Sequence, residues 1–258
     1  MTALRNIAAI FGKEWRQYFA SPIAWVALTM WTLLFGGFFY LSVGYFLQVS
    51  MSGQRFGGGL SLNDMVVARV LQNMCVVMLF VIPLLTMRLF AEEKRQGTIE
   101  LLATAPLTDW QIVIGKFLAA LGLFAAMLAA GFLNLLVLWR FATSAPDWRP
   151  VATGALALLL LGASFIALGI FLSTLTSNQI VAATLTFGAL LLLWIVGWLD
   201  SPGATGLVKV FSQLGLINHV EDLMKGIIDL KDIVFYLSFT AFSLFLALQS
   251  VESQRWRA

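Results

Sequence analysis

The chain has 258 residues, of which 60% are hydrophobic and only 11% charged, and its mean hydropathy is +0.90. A soluble domain carries about 25% charged residues, so this composition excludes a water-solvated globule and points to one solvated by lipid. In that setting the net charge of +3 reads as membrane topology rather than nucleic-acid binding, since no Lys/Arg run reaches five residues.

The N-terminal segment, 1–22, precedes the first long apolar run. Leu4, Ile7, Phe11, Trp15 and Tyr18 recur at helical spacing, with Arg5, Asn6, Lys13, Arg16 and Gln17 roughly opposite. The pattern predicts an amphipathic interfacial helix ending at Ser21-Pro22, with Lys13, Glu14 and Trp15 as its candidate functional residues. Glu14 projects toward the edge of the apolar face, where a carboxylate should seek a cation. Lys94 or Arg95, further along the chain, is the expected partner. No cleavable signal is expected, because the apolar run that follows extends to Leu47, beyond the length of a signal core.

A membrane helix needs about 20 apolar residues. Six runs meet or approach that length, at 23–47, 66–89, 112–139, 151–175, 180–199 and 233–251. They are continuous rather than alternating, which selects helices over barrel strands. Arg69 and Arg88 lie near the ends of the second run and Lys116 near the start of the third, where long side chains can snorkel. The intramembrane amides Gln72, Asn73 and Asn134 are candidates to line a pathway, although helix-to-helix bonding is their commoner use. Gly36, Gly37, Gly44, Gly162 and Gly169 permit close helix packing. Cys75, the single cysteine, is one more small apolar residue, with no disulfide or metal role. The fold class is therefore all-α: six transmembrane helices in one membrane domain, 1–258, behind the N-terminal interfacial helix.

An even number of crossings returns both termini to one side. That side holds nine Lys/Arg against seven opposite, and its short segments keep them beside helix ends. The bias assigns that side to the cytoplasm.

The connections are unequal in interest. Gly57-Gly58-Gly59 lies in an outer turn without the strand-turn-helix setting of a phosphate loop. Gly12-Lys13 and Gly115-Lys116 lack the earlier glycine and the hydroxyl of an ATP-binding loop, so the chain holds no ATP by that device. In the connection 91–106, AEEKRQGTIELLATAP, the charges Glu92 to Arg95 stop the second run and Gly97 turns the chain. Residues 98–104 then suit a short helix with Ile99, Leu101 and Leu102 apolar, and Pro106 closes it. Thr108 with Gln111 fits a capping box for the third run. So short a helix needs a partner or the membrane; the plainer reading is a loop stapled by Arg88 and Glu92 at i,i+4. In the outer segment 200–232, Asn218 with Glu221 makes a second capping pattern, and Val220, Leu223, Met224 and Ile227 form an apolar stripe near Gly226. His219 is the only histidine, which suits a hydrogen-bonding role rather than a metal. No carboxylate pair or Ser/His/Asp set sits together, so no catalytic, cofactor or metal residue is expected.

The run 88–116, with Glu92-Glu93-Lys94-Arg95-Gln96-Gly97-Thr98-Ile99-Glu100 and Gly115-Lys116, resembles the permease subunits of ABC-2-type exporters. Lys13-Glu14, Ser21-Pro22, the six runs and the long segment before the last extend the resemblance along the whole chain. It implies that the short helix after Gly97 is a cytoplasmic coupling helix docking a separate ATPase, with Glu92, Glu93, Gly97, Thr98, Ile99, Glu100 and Leu101 at the contact. It also implies a homo- or heterodimer of permeases in the cell inner membrane, two ATPase copies, and ATP and Mg on the ATPase rather than on this chain. The stretch 218–232 resembles the gliding-motility-type branch, a relative of the nitrous-oxide-reductase maturation permease. Two functions stay open on this reading: export of a substrate, and a scaffold that passes ATPase motion to an outer-face protein with a single anchor.

Overall fold

A chain that must satisfy its backbone without water folds into helices. The described residues of the computed structural model, 2–51, 62–98, 107–141, 147–198, 206 and 215–255, hold helix and turn and no strand. In chain order the helices are α1 (Thr2–Ala20), α2 (Pro22–Met51), α3 (Ala68–Thr86), α4 (Ala91–Arg95), α5 (Asp109–Phe141), α6 (Trp148–Thr174), α7 (Gln179–Gly197), α8 (Glu221–Met224) and α9 (Leu230–Arg255). A wide π-type turn, Asn63–Val67, leads into α3. Six of them are long and apolar enough to cross a membrane: α2, the continuous unit Asn63–Arg95 around α3, α5, α6, α7 and α9. Each of the six apolar runs falls on one of these, and they are called the first to sixth spans below. The crossings leave α1, α4 and the C-terminal end of α9 at one end of the bundle, the loop end, and α8 at the far end.

The fourth span is the hub, packing on the second, third, fifth and sixth. Its glycines explain how. A Cβ on Gly154 would lie 2.3 Å from Leu71, one on Gly162 2.1 Å from Phe124, and one on Gly169 2.3 Å from Thr86. The three line one side of the helix and let the second and third spans approach its backbone. In the first span, Gly36 lies against Asn134 of the third, whereas Gly37 and Gly44 face open space. Only three of the five glycines expected to pack closely therefore do so within the chain. Trp31 and Phe35 bury fully between the first and third spans, with Trp31 edge-on to Phe124.

The second span does not run straight into the loop. Pro83 lacks the N–H that would continue the ladder, α3 ends at Thr86, and a turn over 87–90 precedes α4. The turn is closed from outside, by Ser173 of the fourth span. Phe90 N and Ala91 N both donate to Ser173 Oγ at 3.2 Å, and that hydroxyl donates to Met87 O at 3.2 Å.

At the far end, α8 is shorter than the capping pattern predicts. Its N-cap is Val220, and Asn218 donates from Nδ2 to Gly197 O of the fifth span at 3.2 Å instead of capping it. Val220, Leu223 and Met224 are buried as the stripe requires, but Ile227 is exposed, because Gly226 turns the chain at φ 89° before reaching it. His219 makes the hydrogen bond expected of it, Nδ1 to Asp232 Oδ1 at 2.6 Å, and stacks on Phe235.

Candidate functional site

The site lies at the loop end, where α1, α4 and the third span meet. Hydrogen bonds and close contacts fasten α1 along the third span with both registers advancing together. Asn6 Nδ2 donates to Gln111 Oε1 at 3.1 Å, Gly115 lies under Ile10, and Gly122 lies under Trp15 and Phe11. A Cβ on Gly115 would lie 2.7 Å from Ile10 Cγ2, so the glycine is what admits the helix. The packed face of α1 is accordingly Ile7, Ile10, Glu14 and Tyr18. Leu4, on the apolar stripe read from the sequence, lies off that packed face and is 77% exposed, and Phe11, Trp15 and Phe19 form a half-buried aromatic stack beside it. Glu14 is thus central to the buried face rather than at its edge.

Its partner is not Lys94 or Arg95. Lys116, only 1% exposed, donates from Nζ to Glu14 Oε1 at 2.8 Å and reaches Glu93 Oε1 at 2.9 Å. Lys13 Nζ closes the group from the surface, 3.0 Å from Glu93 Oε1 and 3.8 Å from Glu14 Oε1. Two cations and two carboxylates therefore alternate, and the group is formally neutral. Each buried charge has opposite neighbours, which offsets the desolvation that an isolated one would suffer. Phe90 contributes a ring 5.1 Å from Lys116 Nζ. Burial works to lower the pKa of Lys13, but the charges of Glu93 and Glu14 outweigh it and hold the ammonium above its ordinary range. Among the described residues, Glu93 Oε2 is buried with no hydrogen-bond partner.

Lys116 therefore does not snorkel. A cation one turn inside an apolar run needs an acid, and Glu14 is an acid on an apolar face with no cation on its own helix side. Those two oddities, with Gly115 beside Lys116, were the signal in the sequence for this pairing. The other loop charges also differ from expectation. Arg88 Nη1 donates to Ser21 Oγ at 2.9 Å rather than stapling Glu92, and Glu92 takes Arg95 at 3.1 Å and Gln96. Lys94 Nζ donates to Thr174 O at the end of the fourth span. Tyr18 OH donates to Leu85 O at 3.0 Å, and burial followed by the charge of Glu14 pushes its phenol well above the ordinary range, so it remains a donor.

Gly97 turns the chain as the sequence predicts. At φ 68° it ends α4 with Gly97 N bonded to Lys94 O at 3.2 Å and Thr98 N to Glu93 O at 3.0 Å, a Schellman closure that only glycine adopts without strain. Ile99, Glu100 and Leu101 lie outside the described residues. The capping expectation for the third span is met in part: Thr108 N donates to Gln111 Oε1 at 3.5 Å. Between α1 and α4 opens a cleft of about 640 Å³ lined by both signs of charge, with Lys13, Arg88 and Lys116 facing Glu14, Glu92 and Glu93.

Of the amides singled out within the spans, Gln72 is exposed and Asn73 half-buried on the second span. Asn134 donates to Gly131 O of its own helix at 3.0 Å and presses on Gly36. Among the described residues no group of three or more His, Cys, Asp and Glu could hold a metal ion.

A family model described as ABC-2 family transporter protein matches residues 8–254, from within α1 to the end of the sixth span. The chain belongs to the ABC-2 transporter family. It is similar to the probable multidrug ABC transporter permease YbhR of Escherichia coli strain K12 and to the protein of the same name from Escherichia coli O157:H7, each 33% identical over 89 residues. That alignment covers 34% of this chain and 23% of the relative, so the match spans about a quarter of those proteins' length. With six helices long and apolar enough to cross a membrane, the chain is a multi-pass membrane protein of that family.

Proposed function

We propose that this chain is the permease half of an ATP-driven exporter and that its loop end is the docking site for a separate ATPase. The observation that carries the reading is the convergence of α1, α4 and the third span on the Glu14–Lys116–Glu93–Lys13 group beneath an open, charged cleft. A rigid seat beside an open cleft is what a docking subunit needs, because a contact that pushes must not yield locally. The loop end is cytoplasmic on this reading, in the cell inner membrane. Two permease copies, alike or different, take two ATPases, which hold the ATP and Mg. The helix after Gly97, with Ile99, Glu100 and Leu101, is the coupling element. Gln72, exposed on the second span, is the better pathway candidate of the amides, since Asn134 is engaged against the first span.

The test is co-purification of the ATPase with parent and Leu101→Asp chains present in membranes at equal amounts. A carboxylate in a dry contact costs several kcal/mol, so the variant should insert normally and lose its ATPase. Full recovery of a coupled ATPase by the variant would sink the docking assignment.

A second reading is favoured by the far end. There Tyr236 OH donates to Leu216 O at 2.5 Å and Asp232 pairs with His219, so the segment around α8 is bound to the sixth span. A segment so fixed suits a transmitter that passes ATPase motion to an outer-face protein with one anchor, as in the gliding-motility-type branch. Recovery of such a protein with the complex, without substrate movement, would favour it.

A further inference from the structure

Buried hydroxyls and one histidine–carboxylate hydrogen bond join the two ends of the bundle through the fourth and sixth spans. At the loop end, Ser173 holds the turn before α4 by three hydrogen bonds, and Lys94 of α4 holds the adjacent carbonyl of Thr174. Nine residues along the same helix, about 13 Å at 1.5 Å per residue, Ser164 is fully buried. Its hydroxyl lies 3.1 Å from Thr240 Oγ1 and 3.3 Å from Tyr236 O, both on the sixth span. From there Tyr236 reaches Leu216 O, and one turn earlier Asp232 reaches His219. Leu216 and His219 belong to the segment that leads into α8.

We infer that Ser173, Ser164 with Thr240, and Tyr236 with the His219–Asp232 pair form a load path that carries a displacement of α4 across the membrane to the α8 segment. Three physical facts support it. Helices between the joints are stiff along their axes. The joints are buried, so no water competes for their bonds. Among the described residues the fourth and sixth spans pack on one another more extensively than any other pair of helices, so a shift of one carries the other. Ser173 is a positioning residue on this account: it sets where the loop sits on the fourth span. The inference takes the source of the displacement, an ATPase at the loop, from the proposed function. The path itself is a property of this chain.

The experiment uses the purified full-length chain in lipid nanodiscs, without ATPase, and reads amide hydrogen exchange at both ends. Failure of the path therefore leaves ATPase docking standing, and failure of docking leaves the path measurable. Ser173→Ala should raise exchange at residues 87–95 and also at 216–224, each by roughly three- to tenfold, the effect of losing a buried hydrogen bond. In a background carrying Ser164→Ala and Thr240→Val, adding Ser173→Ala should still raise exchange at 87–95 but no longer alter 216–224. If Ser173→Ala does not yield folded chain, Lys94→Met removes the bond to Thr174 O without touching the hydroxyl and should act in the same direction. A merely local role for Ser173 moves only 87–95. That result, no rise at either end, or a far-end response that persists without the Ser164–Thr240 joint, would each overturn the path.

Discussion

Each member of the charged group makes two of its four contacts, but the Lys116 side chain is 2% exposed where that of Lys13 is 48%, and the loss of Lys116 leaves both carboxylates buried without it. The members of the group are therefore unequal. Lys116→Met should destabilise the chain by about 3–5 kcal/mol, the usual cost of stranding a buried charge. Glu14→Gln removes one charge but leaves Lys116 with Glu93, and should cost about 1–3 kcal/mol. Lys13, half exposed, should cost under about 1 kcal/mol as Lys13→Ala. Thermal unfolding midpoints in one detergent check the order, and a Lys13→Ala loss as large as that of Lys116→Met would contradict it. The need of each charge for a partner was legible in the sequence; the choice of partner was not. Lys94 and Arg95 lie in the connection itself, where the sequence places an accessible cation. Yet Gly97 closes α4 against Glu93 and sends Lys94 to the fourth span and Arg95 to Glu92.

At the scale of the element, the glycines separate contact from composition. Gly37 and Gly162 both occupy apolar spans, but a Cβ at Gly162 would fall 2.1 Å from Phe124 while one at Gly37 meets nothing within 4 Å. Phe124 is itself fully buried and has no space to retreat. Gly162→Ala should therefore lose about 1–3 kcal/mol as overpacking of a core, and Gly37→Ala should leave the stability of the folded chain within about 0.5 kcal/mol. Thermal midpoints of the two variants decide it; equal losses would contradict the packing account, since helix propensity alone favours alanine at both positions. The lengths of the apolar runs in the sequence match six helices long enough to cross a membrane, because span length follows from bilayer thickness. Apolar periodicity did not show how α1 and α8 pack, because those faces are chosen by neighbours. Leu4 is apolar yet exposed, and Glu14 is charged yet buried, because the third span offers Gly115 and Lys116 at that height. Asn218 has the chemistry of a cap, but the carbonyl of Gly197 reaches it first.

For the whole molecule, six crossings and the distribution of positive charge predict one topology. Thr98→Cys, at the loop end, should resist an impermeant thiol reagent applied to intact cells, while Lys225→Cys at the far end, half exposed, should react. Cys75 is buried and leaves the background silent. Ready labelling at position 98 from outside would invert the orientation and remove the loop from the ATPase side. The sequence by itself determined the solvent, the number of spans and the family resemblance. These depend on composition and on local runs, which lipid reads without regard to the rest of the chain. Only the tertiary structure decided that the fourth span is the hub, that Lys116 rather than a loop cation neutralises Glu14, and that Ser173 and Ser164 tie distant elements together. Hydrogen bonds and ion pairs are short-ranged and directional, so their partners follow from which helix faces meet. That meeting is set by glycines and bulky residues far apart in the chain.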